Sequence, residues 1–239
     1  MTLALAIAAL VAVAAVLVAF GAGSSRIGLV AYTFSAFVLA SIVEEFVRGT
    51  RARRALAGES WPAALTSLVA RNRRRYGGYV VHAAIVLLAV GVAGSSAYQT
   101  IREQRLQPGE SMRVAGYTMT FDGVTQARSA NARELRAHVR LARGGRDLGT
   151  LSPGKNFYFA EQSSSNEVAI RESWPRAEDF YVIADEIDGN AVYFKVLVKP
   201  LVNLIWLAGV VFLLGSTVAL WPDAREQRRL VARFAPARA

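Results

Sequence analysis

Four apolar runs of about twenty residues, at about 2–22, 27–46, 78–97 and 200–221, constrain this chain more than any other feature. A helix rises 1.5 Å per residue, so roughly 20 residues cross a hydrocarbon core about 30 Å thick. Such runs read as spanning helices, because lipid offers the backbone no hydrogen-bond partners. The first run, Leu3 to Gly21, carries no charge. It lacks a basic leading segment and the next run follows within a few residues, so it reads as a span rather than a signal peptide. A composition that is 53% hydrophobic agrees with a membrane protein.

Arginines set the expected orientation. Residues 47–77 carry eight of them against one acid, Glu59, and the tail after Trp221 carries five against two acids. Residues 99–195 balance thirteen basic with thirteen acidic side chains. The net charge of +10 therefore lies beside membrane segments, as a topology signal and a contact for anionic lipid, and does not point to nucleic acid. The expected plan has two transmembrane helices over 1–47 and a cytoplasmic basic loop with an amphipathic helix over 48–77. A third transmembrane helix (78–98), a periplasmic β domain (99–198), a fourth transmembrane helix (199–222) and a cytoplasmic basic tail (223–239) follow. Both termini are expected in the cytoplasm of a cell with an inner membrane. Trp61, Tyr76, Tyr79 and Trp221 fall near the span ends, as aromatic belts do, while Trp206 lies about two turns inside.

Inside the basic loop, Ser60 and Pro62 predict a helix start. Glu44 and Glu45 close the second span, where pairing with Arg48 explains them better than a proton site. The polar region reads as an all-β small barrel or sandwich of six or seven short strands. Met112–Phe121 alternates as one strand, and Ala137–Ala142 and Leu148–Leu151 flank an Arg-Gly-Gly-Arg turn. Asn156–Ala160 and Glu167–Ile170 form further strands, and Phe180–Ala184 pairs with Ala191–Val198 across Glu-Ile-Asp-Gly-Asn. The last strand enters the fourth span almost directly through Lys199-Pro200.

Little in the chain can carry chemistry. Without cysteine it has no disulfide, no thiolate metal site and no C-x-x-C-H haem attachment motif. His82 is the only histidine in any predicted span, about one turn inside the third and just after Arg71-Asn-Arg-Arg-Arg75. An imidazole in hydrocarbon needs a partner. Its expected face, through Ile85, Val86, Ala89, Ala93 and Ser96, suits either an axial haem ligand or a histidine bonded to a neighbouring helix. His138 reads as a surface histidine on a strand, and Asp185, Glu186 and Asp188 as a solvated hairpin tip. No triad order, phosphate-cradling loop or zinc motif is present.

Three stretches resemble one family: Phe37 to Arg54, Arg73-Arg-Arg-Tyr-Gly-Gly-Tyr-Val-Val-His82, and Lys199-Pro-Leu-Val-Asn-Leu-Ile-Trp-Leu-Ala-Gly209. The family is CcmF, the haem lyase of system I cytochrome c maturation, and the likeness is to its C-terminal portion. Pro153-Gly-Lys-Asn-Phe-Tyr and Asn166-Glu-Val-Ala-Ile170 are similar to its outer-domain signature, although Ser-Ser-Asn stands where two threonines are commoner. The resemblance implies that His82 is one axial ligand, through the haem iron, of a haem b held in the membrane between two helix histidines. It implies haem delivery by a periplasmic haem chaperone, and attachment to the CxxCH motif of apocytochrome c with its thiol-handling partner of the CcmH type. Both thioether cysteines then belong to the substrate. The family's tryptophan-rich segment with its flanking histidines is missing, as is the second membrane histidine. The chain is therefore expected to be a split subunit, a truncated gene product or a fragment that needs the N-terminal part of the haem lyase. A non-catalytic scaffold for cytochrome c maturation and a system II haem-handling protein are the competing readings.

Overall fold

A computed structural model describes residues 24–222 together with Val11, Ala14 and Val18, so the expected first span lies almost wholly outside the described residues. The described residues divide into a helical unit, with 29–90 and 205–222, and a β unit, with Ser24–Gly28 and Gly91–Leu204.

Four helices are described: α1 (Arg26–Ala57), α2 (Trp61–Arg71), α3 (Arg73–Ala97) and α4 (Asn203–Leu220). Among the described residues, α1, α3 and α4 are long and apolar enough to cross a membrane. Helix α1 continues well past the expected end of its apolar run at residue 46. Its 32 residues make about 48 Å of helix, more than a core of about 30 Å. The extra turns carry Arg48, Arg51, Arg53 and Arg54. Hydropathy ends at residue 46, but nothing breaks the helix until Gly58, whose φ is +67° and whose N–H donates to the Arg54 carbonyl at 2.8 Å.

Ser60 occupies the N-cap position of α2 with an extended backbone, and Pro62 lies in the first turn. The Ser60 hydroxyl makes no capping bond. Helix α2 buries Ala64 and Leu68, and a Cβ on Gly49 of α1 would come within 2.8 Å of the Leu68 side chain. Helices α3 and α4 approach still closer. A Cβ on Gly215 would lie 2.8 Å from the Val81 backbone nitrogen, and one on Gly77 would meet the Ala219 backbone. Small residues at helix contacts replace the hydrophobic drive that lipid removes. Meanwhile α4 leaves Trp206, Leu213 and Leu214 exposed, side chains that hydrocarbon solvates.

The β unit holds ten strands: β1 (Thr100–Leu106), β2 (Ser111–Val114), β3 (Tyr117–Arg128), β4 (Ala132–Arg143), β5 (Arg146–Leu151), β6 (Gly154–Tyr158), β7 (Ser163–Glu167), β8 (Ala169–Ser173), β9 (Glu178–Asp188) and β10 (Ala191–Pro200). They form two antiparallel sheets, ordered β1-β10-β9-β8 and β2-β3-β4-β6-β7, with β5 also paired to β4. Inward residues of both sheets make one core, with Phe121, Met119 and Val139 from one and Phe180, Phe194 and Val196 from the other. Phe121 and Phe194 meet with centroids 5.2 Å apart.

Several strand expectations change. Met112–Phe121 is not one strand but a hairpin, turned at Ala115-Gly116 with both residues at positive φ. Its alternation survives because Met112, Val114, Tyr117, Met119 and Phe121 all face the core on either side of the turn. Glu167–Ile170 is divided at Val168, where the chain leaves one sheet for the other. Strand β1 was not expected. Its Thr-Ile-Arg-Glu-Gln-Arg-Leu sequence lies at a sheet edge and buries only Leu106 fully. At the far end, Leu201 adopts φ +61° after β10, and its N–H donates to the Ala177 carbonyl at 2.5 Å. The Asn203 amide at the start of α4 donates to the buried Asp179 carboxylate at 3.4 Å.

Candidate functional site

His82 lies one turn after Gly78 on α3, and its Nδ1 is 2.8 Å from the Gly78 carbonyl. A carbonyl only accepts, so Nδ1 carries a proton, and in the neutral ring Nε2 then keeps the lone pair. The ring is exposed and borders a groove of about 350 Å³ between α1 and α3. Phe37, Val38, Ser41 and Ile42 of α1 line one wall, and Gly78 and Tyr79 of α3 the other. Farther along α3, Ile85, Ala89 and Ser96 are exposed, whereas Val86, expected on the same face, is buried.

Glu45 and Arg75 line the groove at the end nearest the arginine cluster. Glu45 pairs with Arg48, as its spacing predicts, and also accepts from Arg75 at 2.5 Å. The Tyr79 hydroxyl stands 3.5 Å from the same carboxylate. Arg48 and Arg75 are more than half exposed, so each pair contributes at most about 1 kcal/mol. Their effect is alignment, because Glu45 holds α1 in register with the turn that precedes His82. Phe46, Tyr76 and Tyr79 add a second tie, with centroids 4.9 to 6.2 Å apart, and the Arg75 guanidinium lies 5.7 Å from the Tyr79 ring. Arg75 is thirty residues from Glu45, so helical spacing alone could not reveal that contact.

Of the other sequence candidates, His138, Asp185 and Asp188 have structural partners. His138 bonds Thr125 through Nε2 at 2.8 Å and Ser152 through Nδ1 at 3.0 Å. Asp188 pairs with Arg105 at 2.8 Å, and Asp185 accepts from Asn166 at 3.2 Å. Two polar clusters of the β unit escaped the sequence reading. Glu178 accepts from Tyr117 at 3.0 Å and also from Arg143, whose guanidinium lies 4.4 Å from the Tyr117 ring. Burial pushes the Tyr117 phenol above its ordinary pKa. Asp179 is likewise pushed upward, first by burial and then by the charge of Glu172. Only their adjacency on β9, after core strands, could have flagged them.

Among the described residues no three metal-ligating side chains cluster. The donor set at the groove is one imidazole whose Nε2 has no partner among the described residues, beside apolar and aromatic walls. That set fits one axial position of a haem iron and an apolar macrocycle edge. It does not by itself complete a six-coordinate site.

Residues 97–200 match the family described as the CcmF C-terminal beta-sandwich. The cytochrome c-type biogenesis protein CcmF of Pseudomonas aeruginosa is 30% identical over 192 residues, covering 80% of this chain and 28% of that protein. This chain is similar to the C-terminal portion of CcmF. A second relative, the cytochrome c-type biogenesis protein CycK of Bradyrhizobium diazoefficiens, is 28% identical over 228 residues, 95% of this chain and 33% of the relative. The chain thus spans about a third or less of the relatives it matches. The solved structure of a cytochrome c haem lyase CcmF superposes with a TM-score of 0.73 over 92% of this chain and 34% of its own, at 23% identity. The fold is therefore that of the CcmF C-terminal region: apolar membrane helices with an inserted β-sandwich. Helices α1, α3 and α4 have the length and hydropathy of membrane spans, and the relatives are cytochrome c-type biogenesis proteins of bacteria.

Proposed function

We propose that this chain acts as the C-terminal component of a cytochrome c haem lyase and contributes His82 as one axial ligand to a haem b within the membrane. The observation that carries the proposal is the Nδ1–H donation to the Gly78 carbonyl, which leaves Nε2 available beside an apolar groove. That bond fixes the tautomer and orients the ring, as outer partners of ligating histidines commonly do. A bound haem b supplies a one-electron redox couple. Gly78 holds the ring proton, Glu45 and Arg75 align the helices beside it, and Phe37, Val38 and Ile42 keep water from that wall. The second imidazole is expected from the N-terminal part of the lyase, since the other described histidine has both nitrogens engaged.

Haem from a periplasmic chaperone and the CxxCH segment of apocytochrome c, with its thiol-handling partner, are the proposed substrates and partners. A lyase chain without cysteine suits that chemistry, because both sulfurs come from the apocytochrome. The arginine-rich 47–77 segment supports a cytoplasmic loop and a periplasmic β unit. A docking-only role has one observation in its favour: Phe157 and Phe159 are exposed on the β unit, each with an arginine guanidinium within 6 Å.

The two readings separate in a lyase assembled from this chain and the N-terminal part. His82→Ala is expected to abolish or strongly shift the b-type haem spectrum while the chain still inserts, and His138→Ala to leave it unchanged. A spectrum unaltered in His82→Ala would leave only the docking role.

A further inference from the structure

Two cavities of the helical unit adjoin at Arg73 and Trp221. The first, about 340 Å³, lies between the start of α3 and the end of α4, with Arg71, Arg73 and Arg74 in its lining. The second, about 770 Å³, is a groove between α2 and α4, walled by Leu65, Val69 and Val218. One is cationic and the other apolar, and among the described residues no carboxylate lines either.

Among the described residues no carboxylate is paired with Arg73, whereas Arg75 is committed to Glu45 across the helix pair. Arg73 reaches the neutral Pro222 carbonyl at 3.4 Å. Consecutive arginines in the first turn of a helix also oppose the helix dipole, and α3 has no acid there. An anion is the complementary occupant, and the adjoining groove asks for a hydrocarbon chain on the same molecule. Free phosphate would leave the apolar half unused. The depth agrees as well, because Trp221 follows the end of an apolar membrane helix, where headgroups begin.

We propose that this two-part groove binds an anionic phospholipid, its phosphate held by Arg71 and Arg73 and an acyl chain lying along Leu65, Val69 and Val218. The inference rests on the membrane character of the helices and not on the assignment of His82.

The test is native mass spectrometry of the full chain in neutral detergent, with phosphatidylglycerol and phosphatidylcholine supplied at equal mole fraction. Phosphatidylglycerol should be retained preferentially. Each of Arg71→Ala and Arg73→Ala should lower that retention about fivefold, the scale of one basic side chain near an anionic headgroup. Val218→Trp, which fills the apolar half without touching charge, should lower it too, with helix content unchanged by circular dichroism. Arg51→Ala, exposed on α1, should have no effect. Equal retention of the two lipids overturns the proposal, as does an Arg51→Ala loss matching that of Arg73→Ala, which would mean diffuse surface charge. Displacement of the lipid by inorganic phosphate alone, tighter lipid binding by a chain ending at Pro222, or a dimer mass replacing the lipid adduct would equally overturn it.

Discussion

Substitution at Asp179 separates the effect of a buried charge from the effect of its oxygen atoms. The residue is only 2% exposed and accepts from the Asn203 amide at 3.4 Å, with a second bond from the Ser173 backbone. The Asn203 Oδ1 is itself buried without a partner among the described residues. Burial, then the charge of Glu172, raises the Asp179 pKa above its ordinary value. The folded state therefore holds this proton more tightly than the unfolded chain does. Its contribution is most favourable below the unfolded pKa of about 3.9, declines as pH rises from there through the raised folded value, and is flat above it. Asp179→Asn removes that penalty at neutral pH and supplies an N–H toward Asn203 Oδ1, so it should stabilise by about 1 kcal/mol. Asp179→Ala leaves the Asn203 amide and the Ser173 N–H without their acceptor. At about 1–3 kcal/mol for each unsatisfied group, it should destabilise by about 2–6 kcal/mol. Hydrogen exchange of the β8–β10 amides in the full detergent-solubilised chain, across the acid range, reads both effects. The reasoning fails if Asp179→Asn loosens these strands as much as Asp179→Ala, or if wild type and Asp179→Asn share one pH dependence.

Gly215→Leu should lower the thermal midpoint of the chain in detergent, because its Cβ would lie 2.8 Å from the Val81 backbone. Overpacking of this kind destabilises by about 1–3 kcal/mol. Gly209→Leu, on the same helix with nothing within 4 Å of its Cβ, should not, and equal effects would deny α3–α4 packing this role. A phosphatase reporter inserted between Gly144 and Gly145, at an exposed hairpin turn, should be active in cells if the β unit is periplasmic. An inactive but stable fusion would reverse the orientation.

Membrane character and the all-β nature of the inserted region were legible in sequence because both rest on composition and period. An unbroken apolar run satisfies its backbone only as a helix, and alternation survives wherever one sheet face is buried. Boundaries were less legible. Met112–Phe121 kept its alternation through a turn, and Arg-rich turns extended α1 because helix propensity continues after hydropathy ends. Strand β1 was hidden because an edge strand with one fully buried side chain leaves little pattern.

The histidine shows the same division. Sequence alone determined that one imidazole sits a turn inside an apolar helix next to arginines, a placement that lipid makes costly and therefore informative. Only tertiary structure decided its surroundings: a groove against α1, Glu45 reaching Arg75 across thirty residues, and glycine contacts that bring α4 against the opposite side of α3. Periodicity is a local property that a chain displays along its length. Which helix meets which, and which carboxylate meets which guanidinium, depends on packing between segments far apart in sequence.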